Sequence, residues 1–198
     1  MARNVFISFR FSDGYYYKEY LSSLFNRCND TVDYSEDVDR SCMSDATIKQ
    51  YLYRKLRKSS VTIILLTPSA VNHKRNWRDE YDDWMYDEIR YSLECREGNR
   101  TNGLIAVYMP EAKGMLVDHV AYSYTSRINN VDNLFRKNMM NVKPCYKKNP
   151  NPDTFDRNYD SYCSLVEWGD FIANLGMYID IATQKRDAIY KYDIVKRL

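Results

Sequence analysis

Through the first 110 residues, short continuous apolar runs alternate with longer stretches whose apolar positions recur at helical spacing. Asn4-Val5-Phe6-Ile7-Ser8-Phe9 is rich in β-branched and aromatic residues and predicts a buried strand. Polar Arg10, Ser12, Asp13 and Gly14 follow as a loop. Tyr17, Tyr20, Leu21, Leu24 and Phe25 then predict a helix over about 15–27. Thr31-Val32-Asp33-Tyr34 reads as a short second strand, followed by an acidic loop from Ser35 to Ser41. Ser44 is placed to N-cap a helix carrying Ile48, Leu52 and Leu56. Val61 to Leu66, stopped by Pro68, is wholly apolar apart from Thr62, which suits a central parallel strand covered on both faces. A helix is predicted over about 79–96. Asp79, Glu80, Asp82 and Asp83 would lie in its first turns, at the positive end of its dipole. Asn102-Gly103 turns the chain into Leu104-Ile105-Ala106-Val107-Tyr108, closed by Pro110.

This alternation is the signature of an α/β fold: a mostly parallel sheet with helices on both faces. In such sheets ligands bind beyond the carboxyl ends of the strands, so the loops after Phe9, Tyr34 and Leu66 are the places to look. Beyond Pro110 the pattern weakens. It predicts a short helix over Asn133–Met139, a proline- and asparagine-rich loop over Lys143–Asp153, and a helix over about 161–186 interrupted by Gly169 and Gly176. Asp187 to Leu198 is left as a short strand or helix. The domain reading is a core over residues 1–111 with a C-terminal extension over residues 112–198 packed on it.

Composition changes this picture little. Hydrophobic residues make up 44% and charged residues 28%, as in ordinary globular proteins, and the net charge of +2 gives no basic face for nucleic acid. The one tight basic run, Arg54, Lys55, Arg57 and Lys58, falls at a predicted helix C-terminus, where cations complement the dipole. Five cysteines without a CxxC argue against a disulfide framework or a zinc module and for a reducing compartment. No signal-peptide pattern opens the chain, and no apolar run is long enough to cross a bilayer. A cytoplasmic location without a membrane or nucleic-acid partner is expected, and the Asn29 and Asn99 glycosylation sequons read as chance. The nineteen tyrosines favour amphipathic surfaces, pockets or interfaces, with self-association one use for them.

Familiar catalytic motifs are missing: no P-loop, no G-x-G-x-x-G, no H-E-x-x-H and no G-x-S-x-G. With only His73 and His119, a histidine-rich metal site is impossible. The Asp33, Ser35, Asp37, Asp39 spacing fails as a calcium loop, because Val38 and Ser44 take the required glycine and glutamate positions. No metal is expected. The informative helix carries Asp79, Asp83 and Asp87 every four residues, which predicts a solvated stripe, with Tyr81, Trp84, Glu88 and Ser92 on another. Glu88 would then lie at the border of the buried face, where an unpaired carboxylate is costly. Taken alone, this spacing favours a structural pairing of Glu88 with Arg90 or a lysine.

Three segments change that balance. Val5-Phe6-Ile7-Ser8-Phe9-Arg10 resembles the first strand and loop of TIR domains, and Ser60 to Pro68 resembles their central strand. Trp84-Met85-Tyr86-Asp87-Glu88-Ile89 resembles the Trp-x-x-x-Glu signature of NAD-cleaving TIR domains. Asp33-Tyr34-Ser35-Glu36-Asp37, Ser44-Asp45 and Asn99 to Gly103 narrow the resemblance to the TIR-like ThsB proteins of bacterial Thoeris anti-phage systems. The resemblance covers about residues 3–111, with a longer acidic approach, Arg78 to Asp83, before Trp84. It implies a flavodoxin-like TIR fold and an NAD glycohydrolase or cyclase with NAD as substrate rather than cofactor. Glu88 would be catalytic, with Ser8, Phe9, Arg10, Asp33 and Trp84 in substrate binding. It further implies an ADP-ribose-derived nucleotide that reaches a separate effector, and a phage protein as trigger. The competing expectation is a non-enzymatic TIR scaffold. A receiver-like domain is a poorer match, because Arg10 stands where receivers carry acids.

Overall fold

The computed structural model describes residues 3–27, 31–33, 45–95, 100–119 and 126–198. Five parallel strands form the central sheet: β1 (Arg3–Ser8), β2 (Thr31–Asp33), β3 (Val61–Leu66), β4 (Gly103–Tyr108) and, numbered in chain order, β7 (Cys163–Glu167). Their spatial order is β2-β1-β3-β4-β7, the flavodoxin-like arrangement. The helices are α1 (Phe11–Arg27), α2 (Asp45–Leu56), α3 (Trp84–Leu93), α4 (Lys113–Leu116), α5 (Leu134–Lys137), α6 (Trp168–Ala173) and α7 (Leu175–Asp187). A small antiparallel pair, β5 (Val117–His119) and β6 (Ser126–Ile128), lies between α4 and α5.

The apolar strands are continuous because both sheet faces are covered. Ile64, Leu66, Leu104, Ala106 and Tyr108 face one core with Met85, Ile89 and Leu93 of α3 and with Leu134 and Phe135 of the extension. Their alternates Val61, Ile63, Leu65, Ile105 and Val107 face a second core with Leu21 and Phe25 of α1 and with Tyr178, Ile179 and Ala182 of α7. Phe6, Leu52, Leu56 and Tyr91 make a smaller third cluster beneath α2.

Three expectations need correction. The stretch 161–186 is not one helix: Cys163 to Val166 is buried beside β4 as the fifth strand, and helix resumes only at Trp168. A buried parallel position outweighs the local helical pattern there. The sheet thus takes a strand from beyond residue 111. The central helix begins at Trp84 rather than Asp79, because Asp79 adopts a left-handed backbone (φ 60°) within a tight turn. The turn is closed by the Arg75–Tyr81 bridge and by Asn76 Oδ1, which accepts from the N–H groups of Arg78 and Glu80. The first helix starts at Phe11, one turn earlier than its apolar spacing suggests.

The short helix predicted over Asn133–Met139 forms as α5. Asn133 N-caps α5 by accepting from Phe135 N. At the C-terminus only a 3-10 turn, Ile189–Lys191, and a single bridge from Tyr192 to Val142 form. Cys95, Cys145 and Cys163 are free thiols, and no helix among the described residues is long and apolar enough to cross a membrane. Cys28, Cys42, the acidic loop, Ser44, Asn29 and Asn99 lie outside the described residues, as does the Ile48 side chain.

The close fit of α7 on β4 depends on Gly103. A Cβ there would stand 2.2 Å from the Ala182 carbonyl oxygen. Gly103→Ala is expected to lower stability by about 2 kcal/mol or more in urea unfolding, as overpacking does when backbone must move. An unchanged midpoint would show that α7 does not pack on β4 in this way.

Candidate active site

β1 is followed along the chain by β2 on one side of it and flanked by β3 on the other, so the strand order reverses at β1. A crevice opens at such a point. Ser8 ends β1, fully buried and in register with Ile64 of β3. Its hydroxyl donates to Glu88 Oε2 at 2.6 Å, and Glu88 on α3 is itself buried, with 8% of its surface exposed. Arg90, a structural partner expected for Glu88, instead pairs with Asp87 at 2.8 Å.

Two residues past Ser8, the Arg10 guanidinium pairs through Nη2 with Asp83, the N-cap of α3. Asp83 is not part of a solvated stripe. Its side chain is fully buried and receives four donors. Oδ1 accepts from Met85 N at 2.9 Å; Oδ2 accepts from Arg10, from Lys74 N at 2.9 Å and from His73 Nδ1 at 3.3 Å. Leu134 N donates to His73 Nε2 at 3.1 Å, so Nε2 is the acceptor and Nδ1 carries the hydrogen directed at Asp83. Burial alone would raise the Asp83 carboxyl. The hydrogen bonds from His73 and Lys74 and the Arg10 charge outweigh it and hold the pKa at about 2.

The other side of the crevice is tied by Asp13 of α1. It accepts from Thr67 Oγ1 at 2.7 Å and from Ser69 N at 3.0 Å, joining α1 to the loop after β3. Burial opposes ionisation of Asp13, but these bonds lower its pKa overall. The far end of α3 is fixed by Ser92, whose hydroxyl meets Thr62 Oγ1 at 2.7 Å, while Asn102 Nδ2 donates to Thr62 Oγ1 at 3.2 Å. Glu88 therefore rides on a helix anchored at both ends. The segment 67–83 is clamped from the extension as well: Tyr81 donates to Asp132 at 2.7 Å, and Asn133 Nδ2 donates to the Ala70 and Val71 carbonyls.

Aromatic residues follow β1 and open α3. Phe9 packs on Phe11 with ring centroids 4.8 Å apart, and Phe11 stacks on Tyr15 at 6.0 Å. Trp84, at the first turn of α3, is 37% exposed rather than sealed in the core. Ser8, Arg10 and Glu88 thus converge with α3. Asp33 ends β2 level with Val5, three residues back along β1 from Ser8, which is about 10 Å. Its side chain lies outside the described residues. Asp83 and His73 were not singled out from sequence as site residues. For Asp83 a signal existed, since aspartate just before an apolar helical face is a favoured N-cap. For His73 none did, because its partners come from separate parts of the chain.

A family model described as Thoeris protein ThsB, TIR-like domain, matches residues 6–114. The match covers more than half of the 198 residues and runs from β1 into α4.

The depressed Asp83 pKa carries a stability signature. A carboxyl with a lowered folded-state pKa stabilises the fold fully above the ordinary carboxylate range, and that contribution drains as pH falls toward about 2. Wild type is expected to exceed Asp83→Asn by about 2 kcal/mol at pH 6, with most of the gap gone at pH 2 in urea unfolding. A gap independent of pH would contradict an ionised, buried Asp83.

Proposed function

Because this chain belongs to the ThsB family of Thoeris proteins through its TIR-like domain, we propose that it cleaves the nicotinamide–ribose bond of NAD to make an ADP-ribose-derived signal. The observation that carries this reading is the buried Glu88 carboxylate, held by the Ser8 hydroxyl at the carboxyl end of β1. Nicotinamide in NAD is already cationic. When the C1′–N bond breaks, its electron pair passes to the ring nitrogen and a neutral amide leaves, so no general acid is required. The ribose acquires positive charge, and one carboxylate placed near it stabilises that charge in a low-dielectric site. Two-carboxylate glycosidase chemistry is unnecessary.

In this reading Ser8 orients Glu88, Trp84 and Phe9 flank the rings of the dinucleotide, and Arg10 meets its phosphates. Asp33 contributes from the end of β2. Capture of C1′ by water gives ADP-ribose. Capture by an internal or added nucleophile gives a cyclic isomer or a conjugate, and exclusion of water selects between them. The product acts as a diffusible nucleotide on a separate effector, with a phage protein as the trigger. A second reading, a scaffold that signals by self-association, is favoured by one feature: Tyr15, Tyr16 and Tyr20 are exposed along α1.

Incubation of the purified protein with NAD, with and without extract of phage-infected cells, separates the two readings by mass spectrometry. Nicotinamide release is expected, and Glu88→Gln, which keeps shape and removes charge, should lower it by at least about a hundredfold. Ser8→Ala should lower it by about tenfold without unfolding the protein. Equal activity of Glu88→Gln would remove Glu88 from the chemistry. Inactivity of wild type under both conditions, with self-association intact, would favour the scaffold.

A further inference from the structure

Arg10 is largely buried, with 12% of its side chain exposed, and its Nε finds no acceptor among the described residues. Leaving a guanidinium N–H buried without an acceptor is costly, and the cost is recovered when a ligand oxygen takes the bond. The same guanidinium is held through Nη2 by Asp83, so its orientation is set from outside the crevice. Asp83 in turn is over-determined. It caps α3, accepts from Lys74 N, and faces a His73 whose tautomer is fixed by Leu134 N. The chain of contacts runs from the backbone of α5 through an imidazole and a carboxylate to Arg10, two residues past Ser8.

We infer that Asp83, oriented by His73, is a positioning residue that aims Arg10 at the diphosphate of the dinucleotide. This rests on the NAD-cleaving reading above. Asp83 itself touches no substrate. It keeps the planar fork at a fixed angle, so that less conformational entropy is lost when a phosphate binds. The arrangement also explains why a carboxylate occupies so buried a position. The α3 cap alone is met by a neutral serine or asparagine, whereas orienting a guanidinium calls for charge.

The test is binding of ADP-ribose, which carries the diphosphate but no scissile bond, measured by calorimetry on the full-length chain. Asp83→Asn keeps an oxygen to cap Met85 N and removes the charge that holds Arg10. It is expected to weaken ADP-ribose by about tenfold, as is Arg10→Lys, which keeps charge and loses the fork. In an Arg10→Ala background, Asp83→Asn should add less than about twofold, because its effect passes through Arg10. Full additivity in that background would reduce Asp83 to a structural cap and overturn the inference. So would wild-type affinity in Asp83→Asn. Should Asp83→Asn fail to fold, wild-type affinity in Arg10→Lys overturns the inference equally well. Wild type that binds no ADP-ribose would remove the NAD-cleaving reading, and this inference with it. Glu88-dependent nicotinamide release with unaltered ADP-ribose binding in Asp83→Asn would remove only the inference.

Discussion

Two hydrogen-bonded rungs hold the end of β1 to the start of α3, Ser8 to Glu88 and Arg10 to Asp83, and the shape of the crevice follows from them. The strand is held by parallel pairing with β2 on one side and β3 on the other. The helix is anchored at one end by the Asp83 cap and at the other by the Ser92–Thr62–Asn102 network. Two carboxylates are thereby kept in a nearly dry place. Each would be expensive alone, since burying a charge without a partner costs several kcal/mol. Asp83 is compensated by four donors, the Arg10 guanidinium among them, and Glu88 accepts from the Ser8 hydroxyl. Asp83 caps α3, and Glu88 stands a little more than one turn further along it.

The extension contributes to both. It supplies the fifth strand, the helix that closes one core against β4, and the α5 backbone that fixes His73. The matched family segment ends near residue 114, yet the order β2-β1-β3-β4-β7 is complete only with residues from 163–167. The loop between β3 and α3, clamped by Asp132, Asn133 and Leu134, links the extension to the crevice.

Strands β1, β3 and β4 were legible in the sequence because burial on both faces leaves continuous apolar runs that no helix imitates over so short a length. Strand β7 was not. Cys163-Ser164-Leu165-Val166 is short, holds a serine bonded to Lys185, and adjoins residues with true helical spacing. The start of α3 was misplaced for a related reason. Four acids before Trp84 satisfy the helix dipole equally well inside or outside the helix, and the local turn at Asn76, closed by the Arg75–Tyr81 bridge, decides. Helical spacing put Glu88 at the border of the buried face, and the structure buries it with 8% of its surface exposed. Asp83 was read as solvated because its donors, Arg10 and His73, come from elsewhere in the chain.

A crystal structure of Glu88→Gln with NAD bound would reveal what position 88 faces in the complex. The nicotinamide ribose is expected against the side chain at position 88, its hydroxyls within hydrogen-bonding distance of that amide, and the diphosphate on Arg10. A dinucleotide bound away from the carboxyl end of β1, with position 88 still closed against Ser8, would rule out a role for Glu88 at the ribose.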